Sequence, residues 1–156
     1  MMNRHQSSAQ THGVCNCGAL RRASRRISQL YDAALAPSGV KTTQFAILAE
    51  LDRSNGAEPV TMCKLAATMI MDRSTLGHNL RPLQRERLVV MRLAEDDRRK
   101  RYVELTPQGK VVLKHARSLW RRAEHQYERV LGKRPAARLR AVLHGIATNN
   151  EFDRGP

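Results

Sequence analysis

Two neighbouring stretches hold the side chains best suited to recognising another molecule. Residues 70–83 read Ile-Met-Asp-Arg-Ser-Thr-Leu-Gly-His-Asn-Leu-Arg-Pro-Leu, and residues 96–101 read Asp-Asp-Arg-Arg-Lys-Arg. With the first taken as a helix at about 100° per residue, Leu76, Leu80 and Leu83 fall within about 60° of one another. Ser74, His78, Arg81 and Arg85 take the opposite face, with Thr75 and Pro82 at its edge and Arg73 and Asn79 on the flanks. These residue types match the edges of base pairs. Arginine pairs bidentately with guanine, asparagine with adenine, and a threonine methyl packs on that of thymine. Serine, histidine and the remaining arginines suit phosphates. A polar helix face alone is commonplace on protein surfaces. Here a short helix precedes it and a basic run follows it, an arrangement that fits a helix in the major groove with its partner across the backbone.

The basic run would sit at the tip of a hairpin. Arg98, Arg99 and Lys100 can follow a backbone, and an arginine in a narrow minor groove gains from the enhanced negative potential there. Asp97 would repel phosphate, so its expected task is to pair with a nearby arginine and aim it.

The elements that must position these residues follow from periodicity and caps. Residues 1–17 are expected to be a flexible tail and 151–156 a second one. Leu20, Ala23, Ile27, Leu30, Tyr31, Ala34 and Leu35 recur at helical spacing, with Arg21, Arg22, Arg25 and Arg26 on the other face. Pro37-Ser38-Gly39 stops that helix. Thr42 or Thr43 caps a second helix carrying Phe45, Ile47, Leu48 and Leu51, and Pro59-Val60 is a short extended piece. Thr61 caps the short helix before the reading helix, and Asp72 caps the reading helix itself. Pro82 is expected to kink that helix or end its regular part early. Residues 88–93 and 101–105 are the strands of the hairpin. Thr106-Pro107 starts a long helix that Gly132 ends, and Pro135 opens the last one.

Composition agrees with an anionic partner. In 156 residues, 28 Lys and Arg face 14 Asp and Glu, a formal charge of +14. Self-repulsion of that size is relieved by something negative on the surface, most commonly nucleic acid. Aromatics make up 4%, too few for a base-stacking surface, so an aliphatic core is expected. No apolar run is long enough for a membrane span, and the first residues lack a signal-peptide core, so a cytoplasmic location is expected. No Gly-rich phosphate loop or nucleophile elbow is present, and His78 and His115 lack acidic partners at useful spacing. An enzyme is therefore not expected, and no cofactor is implied.

Leu65-Ala66, Met71-Asp72-Arg73-Ser74-Thr75-Leu76, Leu83, Leu88-Val89, Asp97-Arg98-Arg99 and Val103-Glu104-Leu105-Thr106-Pro107-Gln108-Gly109 resemble MarR-type winged helix-turn-helix regulators, over residues 18–150. The resemblance implies a mainly α fold with a small β-hairpin wing. A winged helix-turn-helix domain (41–106) would be joined to a helical dimerisation arm made of residues 18–40 and 107–150. It implies a homodimer on a palindromic double-stranded DNA operator, with Arg99 in the minor groove and Asp97 orienting Arg73. It further implies repression, relieved by a small molecule or an oxidant. The family usually has glycine where this chain has Arg87, and a left-handed backbone there costs a non-glycine residue about 1 kcal/mol.

Three routes remain open for the signal. Cys15 and Cys17 stand at the start of the first helix near Arg21 and Arg22, a setting typical of oxidant-sensing thiols. They are alternatively inert, or join His5 and His12 as metal ligands of a metal-responsive regulator, although Cys-x-Cys is a weak zinc pattern. A small-molecule pocket between arm and wing would be lined by Leu30, Tyr31, Phe45 and Trp120, with Arg22 or Arg26 attracting an anionic ligand; the same apolar spacing also fits plain core. The competing reading of the whole chain is a non-specific architectural nucleic-acid-binding protein.

Overall fold

A computed structural model describes residues 15–54, 60–93 and 100–153. The elements run α1 (Asn16–Leu35), a 3-10 turn (Ala36–Ser38), α2 (Thr42–Ser54), β1 (Val60–Thr61), α3 (Met62–Thr68), α4 (Arg73–Arg85), β2 (Val89–Leu93), β3 (Arg101–Leu105), α5 (Pro107–Leu131), α6 (Lys133–Thr148) and a closing 3-10 turn (Asn150–Asp153). This is the expected mainly α chain with a small sheet. The hairpin has a third member: Val60-Thr61 pairs antiparallel with Val103-Tyr102, giving the order β1-β3-β2. The extended piece before α3 thus closes the edge of the wing's central strand.

Helix boundaries follow local chemistry. Thr61 accepts from the Lys64 N–H at 3.1 Å and starts α3. Thr106 accepts from the Gly109 N–H at 2.9 Å, with Pro107 at the first helical position of α5. The Thr42 N–H and hydroxyl both donate to Asp32, at 2.7 and 2.6 Å, tying the start of α2 to the end of α1. Four boundaries differ from expectation. α1 opens at Asn16, with Cys15 as its cap. Thr42 and Thr43 lie inside α2 rather than capping it. β2 begins at Val89, one residue late. α6 begins at Lys133 rather than Pro135, because Gly132 at φ 90 both ends α5 and caps the next helix. α4 ends at Arg85, where expected, and stays helical through Pro82. Proline there removes one helical hydrogen bond, while Leu80 and Leu83, each 1% exposed, hold both sides of it in the core.

The core is aliphatic. Leu35, Ile47, Leu48, Leu65, Leu76, Leu80, Leu83, Leu113 and Val103 are fully buried, and no polar side chain is buried with them among the described residues. The three leucines of α4 are therefore its inward stripe, as the angular count required. α5 bridges the two halves of the molecule: its Leu113, Ala116 and Leu119 pack into this core, and Ala123 lies further along, towards α1 and α6. α6 buries only Ala136. Its Leu139, Val142, Leu143 and Ile146, spaced as one helical face, are 40–54% exposed.

Candidate nucleic-acid interface

Asp72 organises the start of α4. Its Oδ1 accepts from the Thr75 N–H at 2.8 Å and from the Ser74 hydroxyl at 2.5 Å, and its Oδ2 accepts from the Thr75 hydroxyl at 2.6 Å. Hydrogen bonds from the Ser74 and Thr75 hydroxyls, then from the Thr75 N–H, hold its carboxyl well below the usual carboxylate range. Asp72 therefore stays ionised and accepts every bond offered. This has a consequence for two expected readers. The hydroxyl protons of Ser74 and Thr75 both point to Asp72, which leaves their oxygens as acceptors and the Thr75 methyl as an apolar contact.

The remaining expected readers lie on or beside the exposed face. His78, Arg81 and Arg85 are exposed. The Arg85 Nε sits 3.2 Å from Glu86 Oε1, a solvent-screened pair at the helix end. Asn79 is half-buried and its Nδ2 donates to the Thr75 carbonyl at 2.9 Å, so it must turn outward before pairing with a base. Arg73 is exposed, and its Nη2 donates to Cys63 Sγ at 2.8 Å across the turn between α3 and α4. Cys63 as the partner of Arg73 had no signal in the sequence, since the two lie ten residues apart on different helices.

Asp97, Arg98 and Arg99 lie outside the described residues, as does any role of Asp97 in aiming Arg73. Lys100 and Arg101 are described. With Thr61, Met62, Cys63 and Arg73 they line a cleft of about 580 Å³ between the helical pair and the base of the wing. The cleft gathers three cations from α4 and the sheet on one side of the molecule. Arg101, the last residue of the basic run and the first of β3, belongs to this group.

Two backbone positions frame the same unit. Ile70, in the turn before α4, has φ 51, and Arg87, just after it, has φ 56. Both are in the left-handed region that disfavours side chains, most of all β-branched ones. Arg87 meets the expectation set by the glycine usual there. Ile70 is also 67% exposed.

Phe45 and Trp120 stack at 6.0 Å between ring centres, with Phe45 buried and Trp120 packed on the core. Tyr31 is buried and its hydroxyl donates to Glu124 Oε1; burial, then that bond, push its phenol well above the ordinary range. Leu30 is half-buried, and Arg22 and Arg26 are exposed on α1. Cys15 and Cys17 are exposed free thiols, and Cys15 Sγ accepts from the Gly18 N–H at 3.3 Å. His5 and His12 fall outside the described residues, among which no group of three His, Cys, Asp or Glu could hold a metal. No helix among the described residues is long and apolar enough to cross a membrane.

The chain matches no protein-family profile and no curated protein. Solved structures do match it. The Mycobacterium tuberculosis transcriptional regulator MosR, crystallised in complex with DNA, is 35% identical, with 90% of this chain and 99% of that one covered at a TM-score of 0.78. A second MosR structure is 36% identical, covering 87% and 96% at 0.72. The transcriptional repressor CouR, bound to a 23-mer DNA duplex, is 25% identical, covering 92% and 99% at 0.78. A MarR-family regulator from Rhodococcus sp. RHA1 shares the fold at 24% identity and 0.74, over 91% and 97% of the two chains. With a helix-turn-helix pair capped by Thr61 and Asp72, a three-stranded wing and helices on either side, this chain belongs to the MarR family of transcriptional regulators.

Proposed function

We propose that this protein is a homodimeric, sequence-specific double-stranded DNA-binding repressor acting in the cytoplasm. The observation that carries the reading is the outward face of α4. Arg73, His78, Arg81 and Arg85 stand exposed on a helix whose leucines are locked in the core, beside Lys100 and Arg101 at the base of the wing. Such a face enters a major groove, while the wing reaches the flanking backbone. In this assignment Arg81 and His78 approach base edges, Arg73 and Lys100 hold phosphates, and Arg98 and Arg99 extend the wing's contact. The similar regulators MosR and CouR have both been seen bound to DNA.

Homodimerisation is supported by the exposed stripe Leu139, Val142, Leu143 and Ile146 on α6, together with Leu20 at 42% on α1. An apolar stripe of this kind marks an interface. Two copies joined there would present two α4 helices to a palindrome with half-sites about 34 Å apart. For the signal, Cys15 favours an oxidant: it is an exposed free thiol whose sulfur caps α1, so its oxidation changes the group at the start of the arm.

Footprinting finds the site, and a gel shift against scrambled duplex separates this reading from non-specific binding. Arg81→Ala should weaken specific binding about tenfold or more. Unchanged affinity removes α4 as the reader. A monomer in light scattering removes the dimer. If Cys15→Ser with Cys17→Ser leaves peroxide-induced release unchanged, the thiols are not the sensor.

A further inference from the structure

Gly77 lies in the middle of α4, where glycine is the poorest helix former after proline. Packing does not require it. A Cβ built on it meets no heavy atom within 4 Å beyond its two chain neighbours and its own helix's backbone. This openness is unexpected from its neighbours, because Arg73 and Arg81 stand one turn before and one turn after it along the same edge of the helix, both exposed. Neither long side chain folds over the gap. At about 100° per residue, Gly77 falls between the leucine stripe and the centre of the polar face, on the flank rather than at the front.

The dimensions decide what such a flank meets. The major groove is about 12 Å wide, and a helix with its side chains is about 10–12 Å across. A helix whose front faces the base edges therefore brushes the groove wall with its flanks, and a missing side chain there sets how deeply it seats. We infer that Gly77 is the seat of the recognition helix: a notch, framed by Arg73 and Arg81, into which one sugar–phosphate segment of the groove wall fits against bare helix backbone. Arg73 grips the phosphate on one side of that segment, while Arg81 on the other side reaches past it to the bases. Gly77 is thus a positioning residue for DNA recognition, acting through the depth at which His78 and Arg81 reach the bases. This rests on the reading of α4 as the groove-entering helix.

The test compares Gly77→Ala, Gly77→Leu and Arg81→Ala with the wild-type full chain. The probes are a duplex that the wild type selects from a random library and a scrambled duplex of the same length, both at one fixed salt concentration. Gly77→Ala should raise the Tm by about 2–4 °C through helix propensity, and Gly77→Leu should unfold no lower than wild type, since leucine is also a far better helix former than glycine. Gly77→Leu should nevertheless bind the selected duplex about tenfold or more weakly, the usual cost of an overfilled contact. The scrambled duplex should lose affinity in parallel, because the wall carries no sequence. If Arg81→Ala loses binding and Gly77→Leu keeps it, the seat is refuted while the reading helix stands. If Arg81→Ala keeps it too, the reading of α4 itself fails. A loss by Gly77→Leu confined to the selected duplex would put a base edge, not the wall, against Gly77 and overturn the assignment.

Discussion

Gly109→Ala should damage this fold more than any other single-methyl addition at a described glycine. Gly109 is buried in the first turn of α5, where that helix crosses the end of the reading unit. A Cβ there would lie 2.1 Å from the Leu88 carbonyl oxygen and 2.7 Å from Leu105 Cδ1. Ordinary contact begins near 3.4 Å, so the helix or the Leu88 peptide must retreat by about 1.3 Å. The Leu105 methyl can rotate away, but the carbonyl cannot. It is held by the Thr106 N–H at 3.1 Å, and the Thr106 hydroxyl donates to the adjoining Arg87 carbonyl at 2.7 Å, fixing the peptide before it. Overpacking costs about 2 kcal/mol, and weakening two hydrogen bonds about 1 kcal/mol each, while alanine's helix propensity returns about 1 kcal/mol. The net loss is about 3 kcal/mol, a Tm fall of about 6–12 °C for a chain of this size. Urea unfolding at fixed protein concentration measures it. A midpoint equal to wild type would show that the crossing of α5 over Leu88 is not as tight as these distances require. The same contact explains the Thr-Pro-Gln-Gly signature chemically. Threonine caps, proline starts the helix, and glycine lets it pass over the carbonyl that the threonine also holds.

Left-handed residues offer the opposite change: Arg87→Gly should stabilise the chain by about 1 kcal/mol, and Ile70→Gly by about as much, in chemical denaturation. Asp72→Asn keeps a competent cap, so stability near neutral pH should hold. Because the Asp72 carboxyl is depressed in the fold, its contribution is present above its unfolded value and lost as pH falls below about 4. The wild type should therefore lose stability in acid more steeply than the asparagine variant, and superimposable acid profiles would count against the Asp72 network. Tyr31→Phe strips Glu124 of a donor and should cost about 1–2 kcal/mol in urea unfolding. Raising salt should increase the Tm of the free protein by screening its own repulsion while weakening DNA binding; a Tm that falls with salt would contradict the first half.

What was legible in the sequence was local. The caps Thr61, Asp72 and Thr106 each act on the third residue onward, so the pattern that names them also contains their partner. The leucine stripe of α4 was legible because one period fixes one face. Arg87 was legible through the glycine it replaces. Contacts made across the chain were not. The pairing of Val60 with Val103 joins segments 43 residues apart in sequence and depends on where the hairpin lands. The bond from Arg73 to Cys63 depends on the angle between two helices. Pro135 drew the start of α6 two residues late, because a proline at the third helical position is as acceptable as at the first when the preceding N–H groups have no helical partner. Phe45 and Trp120 have a spacing that serves a pocket or a core equally, and their stacking joins two helices 75 residues apart, which no local period shows.

The surplus of positive charge has an orderly distribution. Among the described residues, acids are engaged at joints. Asp32 holds α2 to α1 through Thr42. Asp52 meets Arg117 at 2.8 Å and links α2 to α5. Glu124 receives Tyr31 from α1 and Arg140 of α6, the latter at 3.3 Å. Glu104 lies 3.4 Å from Arg92 across the wing. Beyond its cap, α4 from Arg73 to Arg85 carries no acid. The arginines therefore divide by what opposes them. Arg117 and Arg140 are matched within the chain, whereas Arg81 has no acidic partner among the described residues. Neutralising Arg117 or Arg140 leaves a carboxylate without its partner and lowers stability, with affinity following only through the fold. Neutralising Arg81 relieves repulsion in the free protein and removes a contact in the complex. Stability and affinity should thus move in opposite directions for Arg81 and together for the arginines at the joints, and that difference in sign separates a reading surface from a scaffold without any knowledge of the operator.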